Sequence, residues 1–203
     1  MLLKTFKGLV GAMDTYTNTY VVYDEKTNEG ILIDVADNVD KIYNFTENSR
    51  ITLKYVVLTH CHGDHTLGIK ELKRLYPKVK IIIHKEDARG LTDDEINRCS
   101  SIGREPNFTE ADLVVRDGDV LEFGETKAQI IHTPGHTKGG ICLLIEDALF
   151  SGDTLFKGTT GRTDLPTGSR WEMADSVKKL LQLPENTIVY PGHGATTIIG
   201  EEK

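Results

Sequence analysis

Three of the chain's seven histidines fall within six consecutive residues, His60-Cys61-His62-Gly63-Asp64-His65, where an even spread would leave less than one. Imidazole nitrogens and carboxylate oxygens bind cations such as Zn²⁺ at about 2.0–2.2 Å. In an extended segment alternate residues project the same way, so His60 and His62 are placed to converge on one cation. Gly63 is expected to take a backbone conformation closed to other residues, aiming Asp64 and His65 at a second cation close by. One segment cannot complete two coordination shells. The expected complement is His136 in Thr133-Pro134-Gly135-His136-Thr137, Asp153 in Ser151-Gly152-Asp153-Thr154 and His193 in Pro191-Gly192-His193-Gly194.

Other residues of the same types read differently. His84 and His132 stand alone and are expected to be ordinary surface or core histidines. Cys61 lies on the opposite parity from the histidines beside it and reads as a buried structural thiol. Asp34 ends an apolar run and serves either as a turn residue or as an acceptor that steadies a ligating histidine. Lys157 reads as a solvated loop cation.

Elements with fixed ends must carry these groups. Tyr20–Tyr23 and Ile31–Val35, separated by the polar turn Asp24–Gly30, form a hairpin. Residues 38–48 space Val39, Ile42, Tyr43 and Phe45 as on a helix. Tyr55–Leu58 is a continuous apolar run, the mark of a strand buried on both faces, and the histidine cluster follows it directly. Leu67, Leu72 and Leu75 then suggest a helix ending before Pro77, and Ile81–Ile83 another strand. Residues 85–112 are rich in charge and read as short helical turns forming a surface wall or lid. Strands are expected at Leu113–Val115, Val120–Phe123, Ala128–His132, Ile141–Ile145, Ala148–Phe150 and Thr187–Tyr190, with a helix over Trp171–Leu183. Two strand-rich halves with helices imply packed sheets with helices outside.

The chain's 203 residues correspond to about 1.4 domains at roughly 150 residues each, so residues 1–203 are expected to form a single domain. The net charge of −7, with 24 Lys and Arg against 31 Asp and Glu, argues against nucleic acid as a partner. No stretch approaches the ~18 apolar residues of a membrane span. The apolar run Leu9–Met13 is shorter than a signal-peptide core of about 7–15 residues. Three cysteines, Cys61, Cys99 and Cys142, are too few and too far apart for a disulfide framework. A cytoplasmic protein with a small-molecule substrate is the expectation; the sequence leaves the oligomeric state open.

The ordered set His60, His62, Asp64, His65, His136, Asp153 and His193 resembles the signature of the metallo-β-lactamase fold superfamily. Pro134-Gly135-His136-Thr137, Gly152-Asp153-Thr154-Leu155-Phe156, Gly161-Arg162-Thr163-Asp164 and Pro191-Gly192-His193-Gly194 are most similar to its glyoxalase II-like (hydroxyacylglutathione hydrolase-like) branch in a short single-domain form. The resemblance implies an α/β fold, a four-layer αββα sandwich of two packed mixed sheets with helices outside. It also implies two divalent cations, zinc first with iron or manganese accepted by the same donors, and hydrolysis of a thioester or ester such as S-lactoylglutathione. Full-length glyoxalase II has a C-terminal helical domain that helps hold glutathione, and this chain, ending ten residues after His193, is expected to lack it. The family's glutathione-contacting Lys and Tyr correspond to Arg162 and Asp164, which keep the positive charge and lose the aromatic hydroxyl.

On that reading Asp153 bridges the cations opposite a shared hydroxide, which attacks the substrate carbonyl, and Asp64 is the catalytic residue that orients the nucleophile or carries its proton. Arg162 either anchors a substrate carboxylate or forms a structural ion pair with Asp164. Persulfide dioxygenases also resemble this chain, share Gly161-Arg162-Thr163-Asp164, and would use one iron on His60, His136 and Asp153.

Overall fold

The computed structural model describes residues 1–10, 15–106 and 108–203. The Leu9–Met13 run therefore lies partly outside the described residues, as does Asn107 in the charged excursion.

The first half of the chain builds one sheet. Its strands are β1 (Leu2–Val10), β2 (Thr15–Tyr23), β3 (Glu29–Ile33), β4 (Thr52–Val57), β5 (Lys80–His84) and β6 (Leu113–Val115), which lie side by side in sequence order. β1, β2 and β3 are antiparallel, and β3 through β6 run parallel. Parallel neighbours need crossovers, supplied here by α1 (Val39–Asn48) and by the pair α2 (Gly63–Thr66) and α3 (Ile69–Leu75). The apolar runs are continuous because both faces are covered. Leu32, Val56, Ile81 and Ile83 face the helices with Val39, Ile42, Ile69 and Leu72, whereas Ile31, Ile33, Val57 and Ile82 face the second sheet.

The second half builds that sheet from β7 (Val120–Phe123), β8 (Thr126–His132), β9 (Ile141–Ile145), β10 (Ala148–Gly152), β13 (Ile188–Pro191) and β14 (Thr197–Ile198), in the order β14-β13-β10-β9-β8-β7. A small pair, β11 (Leu155–Phe156) with β12 (Thr159–Thr160), precedes α5 (Arg170–Leu180). Ser169 caps α5 by accepting the Glu172 backbone N–H. Ile130, Leu143 and Phe150 meet the first sheet, and Leu149, Val189 and Leu180 join the second sheet to α5. The layers are helices, sheet, sheet, helix, the expected αββα sandwich.

Two features differ from the sequence expectation. β1, a nine-residue edge strand paired along β2, alternates too weakly with Lys4 and Lys7 to announce itself. The two-residue strands β11, β12 and β14 are too short to leave a periodic pattern. The 85–112 excursion is short helical turns as expected, at Ala88–Thr92, Asp94–Asn97 and Ser100–Ile102. It is a wall: Gly90 lies against Cys61, and Cys99 against Gly63.

Candidate metal centre

All seven predicted donors come together at one edge of the sandwich, at the ends of strands. β4 delivers His60 and His62, and the short helix α2 carries Asp64 and His65. From the second sheet, the loop after β8 carries His136, the turn after β10 carries Asp153, and the turn after β13 carries His193. Three groups of potential ligand atoms converge within 4.8 Å: His60, His62 and His136; His60, His65 and Asp153; and Asp64, His65 and His193.

Contacts between individual atoms tie these groups into one cluster. His62 Nδ1 lies 2.8 Å from His136 Nε2, and His65 Nε2 lies 3.2 Å from His193 Nε2. Asp64 Oδ2 is 3.2 Å from His193 Nε2 and 3.4 Å from His65 Nε2. Asp153 stands between the groups: its Oδ1 is 3.4 Å from His65 Nε2, and its Oδ2 is 3.4 Å from both His136 Nε2 and His193 Nε2.

Backbone and buried acceptors fix which nitrogen each ring presents. His65 Nδ1–H donates to Asp34 Oδ2 at 2.7 Å, His136 Nδ1–H to the Arg162 carbonyl at 2.7 Å, and His193 Nδ1–H to the Tyr16 carbonyl at 2.9 Å. Each of these rings therefore turns Nε2 into the cluster, the arrangement that orients ligating histidines. Asp34 thus resolves as an orienting acceptor: it also takes the Thr59 N–H and hydroxyl, both at 2.8 Å. That makes it simultaneously a turn residue, with φ at +56°.

The donor set fits divalent cations. His60 Nε2 and Asp153 Oδ1 are buried with no hydrogen-bond partner, a costly condition for polar atoms in a folded interior that coordination relieves. Burial and the neighbouring His65 and His136 hold His60 well below the ordinary imidazole range, and burial with His136 pushes His62 down to about 3. Both are therefore neutral lone-pair donors at physiological pH. Burial alone would raise the Asp64 carboxyl, but His65 and His193 bring it down to about 2, and Asp153 is driven well below the carboxylate range by the same two residues against a similar burial penalty.

Gly63 differs from its expected role. Its φ is not in the left-handed region; what requires glycine there is space, because a Cβ would collide with Cys99. The second close approach is at Gly192, whose α-carbon packs against Asp153 and His65. The Gly192 N–H donates to the Gly152 carbonyl at 2.8 Å and its carbonyl accepts the Asn18 N–H at 2.7 Å. The His193 turn is thereby stitched to the Asp153 turn and to β2.

Two supports gave no readable signal in the sequence. Asp87 is buried and accepts from the Cys61 N–H at 3.1 Å, the Thr137 hydroxyl at 2.7 Å and the Gly139 N–H at 2.6 Å, joining the His60–His62 segment to the loop around His136. Tyr20 donates its hydroxyl to the Pro191 carbonyl at 2.6 Å, beside the Asn18 side-chain amide on the same oxygen. Arg162 places its backbone at the site, but its guanidinium makes a bidentate pair with Asp164 at 2.7 and 2.8 Å on the surface. His84 and His132 stack 4.0 Å apart away from the donors, and Lys157 pairs with Glu201.

With this fold and this cluster in view, the chain is a member of the metallo-beta-lactamase superfamily, whose family model matches residues 12–193. It is 39% identical to an uncharacterised protein of Aquifex aeolicus across 92% of this chain and 88% of that one. It is also 32% identical to the hydroxyacylglutathione hydrolase of Francisella philomiragia, across 86% of this chain but only 61% of the longer relative. Among solved structures, BLEG-1 B3 metallo-beta-lactamase superposes with a TM-score of 0.88 at 30% identity, covering 99% of this chain and 96% of that one. ETHE1 from Myxococcus xanthus gives 0.82 at 29%, over 100% and 81%. TTHA1623, solved in a di-iron-bound form, gives 0.84 at 27%, over 100% and 96%. No helix among the described residues is long and apolar enough to cross a membrane.

Proposed function

We propose that this protein is a binuclear metal-dependent hydrolase of thioesters or esters, with S-lactoylglutathione-like thioesters as the substrate class to test first. His60, His62 and His136 would hold one divalent cation, Asp64, His65 and His193 the other, and Asp153 would lie between them. The observation that carries this reading is the reach of Asp153, whose two carboxylate oxygens approach histidines of both groups at 3.4 Å. Bound there, a pair of divalent cations would supply a water activated near neutral pH and an electrophile for the substrate carbonyl.

The chain's own residues do the rest. Asp64, ionised at neutral pH and held through Oδ2 by the Thr17 hydroxyl at 3.2 Å, would orient the attacking water and take its proton through the carboxylate oxygen that does not face His65 and His193. Asp34 holds His65 in place through Nδ1. Arg162 would anchor a substrate carboxylate by exchanging it for Asp164, at little cost because both side chains are solvent-exposed. The relation to the Francisella hydrolase supports the glutathione-thioester class, with residues 1–203 acting as one domain. The alternative is persulfide dioxygenation by one iron on His60, His136 and Asp153; it has the shared Gly161-Arg162-Thr163-Asp164 in its favour.

Elemental analysis of protein purified without added metal, with S-lactoylglutathione and lactone assays run with and without oxygen, tests the proposal. Two cations per chain, zinc foremost, and oxygen-independent hydrolysis are expected. One iron with oxygen uptake on a persulfide would replace the proposal with the alternative. Asp153→Ala is expected to abolish both turnover and full metal loading; activity retained in that variant would remove the bridging role.

A further inference from the structure

A cleft of about 570 Å³ lies between α5 and the 159–163 segment, within the size range of small-molecule sites, about 300–1,000 Å³. The chain has 31 acidic residues, yet none stands in this wall, which carries Arg162, Arg170 and Lys178 over a lining of Met173, Val177 and Leu181. Arg162 is paired with Asp164 and already assigned to the substrate carboxylate, so it is left out of this site. Arg170 and Lys178 have no carboxylate partner among the described residues, and the Arg170 guanidinium instead lies 5.0 Å from the ring centre of Trp171. Two uncommitted cations beside an aliphatic surface match a molecule with an anionic head and an aliphatic tail, the head held by charge and the tail by removal from water.

The cleft is separate from the metal centre. None of the seven donors lines it; behind it the Arg162 carbonyl takes the His136 Nδ1 proton and Gly161 packs against the Asp153 backbone. We propose that it is a second ligand site, for a carboxylate bearing a medium-length alkyl chain, with the head drawn by the Arg170 and Lys178 charges and the chain along Met173, Val177 and Leu181. This does not depend on the hydrolase reading.

Trp171 is the chain's only tryptophan, is 74% exposed and lies under the Arg170 guanidinium, so its emission responds to a ligand that engages Arg170. Octanoate titrated into the full-length protein as purified should change Trp171 emission saturably. Acetate should bind at least tenfold more weakly, and octylammonium should not bind. Calorimetry on the Arg170→Gln/Lys178→Gln double variant should show at least a tenfold loss of octanoate affinity. Val177→Asp, which keeps both cations and puts a like charge along the tail, should show the same loss. Absence of saturable octanoate binding overturns the proposal. So does affinity retained in either variant, which is the result if octanoate binds only at the metal centre.

Discussion

His65 and His193 meet incoming metal as imidazolium ions. Burial works against their charge, but Asp64, Asp34 and Asp153 outweigh it and lift His65 to about 9, while Asp153 and Asp64 lift His193 to about 11. A folded pKa raised above the ordinary 6.5 gives stability that is complete below pH 6.5 and is lost as pH rises through the folded value. Metal-stripped protein is therefore expected to melt at lower temperature as pH goes from 6.5 to 9. Over the same window its affinity for metal should rise, because each ring must shed a proton to bind. Calorimetry in buffers of different ionisation enthalpy measures the protons released; an affinity flat across that window contradicts the assignment. Asp34→Asn, which leaves His65 without its charged acceptor, is expected to weaken metal binding about 10–100-fold in a chelator competition. The donors were legible because six of them sit in dense or glycine-flanked contexts and Asp153 follows the same pattern. Asp34 was only half legible, since a lone aspartate after a strand carries no mark of the ring it will hold.

Elements explain why the donors arrive together. Strands covered on both faces write themselves into sequence as unbroken apolar runs, which is why Tyr55–Leu58, Ile81–Ile83 and Ile141–Ile145 were readable. Pairing between distant strands leaves no such trace: that β10 lies beside β13, bringing the Asp153 and His193 turns together, follows from topology alone. Asp87 shows the same limit. It sits in the charged excursion and looks like any surface aspartate, yet it braces two ligand-bearing loops. Asp87→Ala would strand three buried donors, at about 1–3 kcal/mol for an unsatisfied group. Denaturant unfolding should show that loss, and metal affinity should fall with it as the loops separate. Unchanged affinity would confine Asp87 to a structural role.

Across the whole molecule, each sheet contributes part of the donor set: His60, His62, Asp64 and His65 from the first, His136, Asp153 and His193 from the second. Bound cations would then fasten sheet to sheet at the rim as Val57, Ile82, Leu143 and Phe150 do in the interior. A ligand at about 100 times its Kd stabilises by about 2.7 kcal/mol, so chelation is expected to lower the melting temperature by several degrees and resupply of zinc to restore it. A melting curve indifferent to chelator would show that the cations carry no share of the sheet contact.

The hand-over from one sheet to the other is a single short turn, Arg116-Asp117-Gly118-Asp119, between β6 and β7. Scission there would yield two polypeptides, each with a partial set of ligands and one bare apolar face. Only their reunion would rebuild both, so cation capture by a mixture of the two fragments would serve as a direct assay of self-assembly.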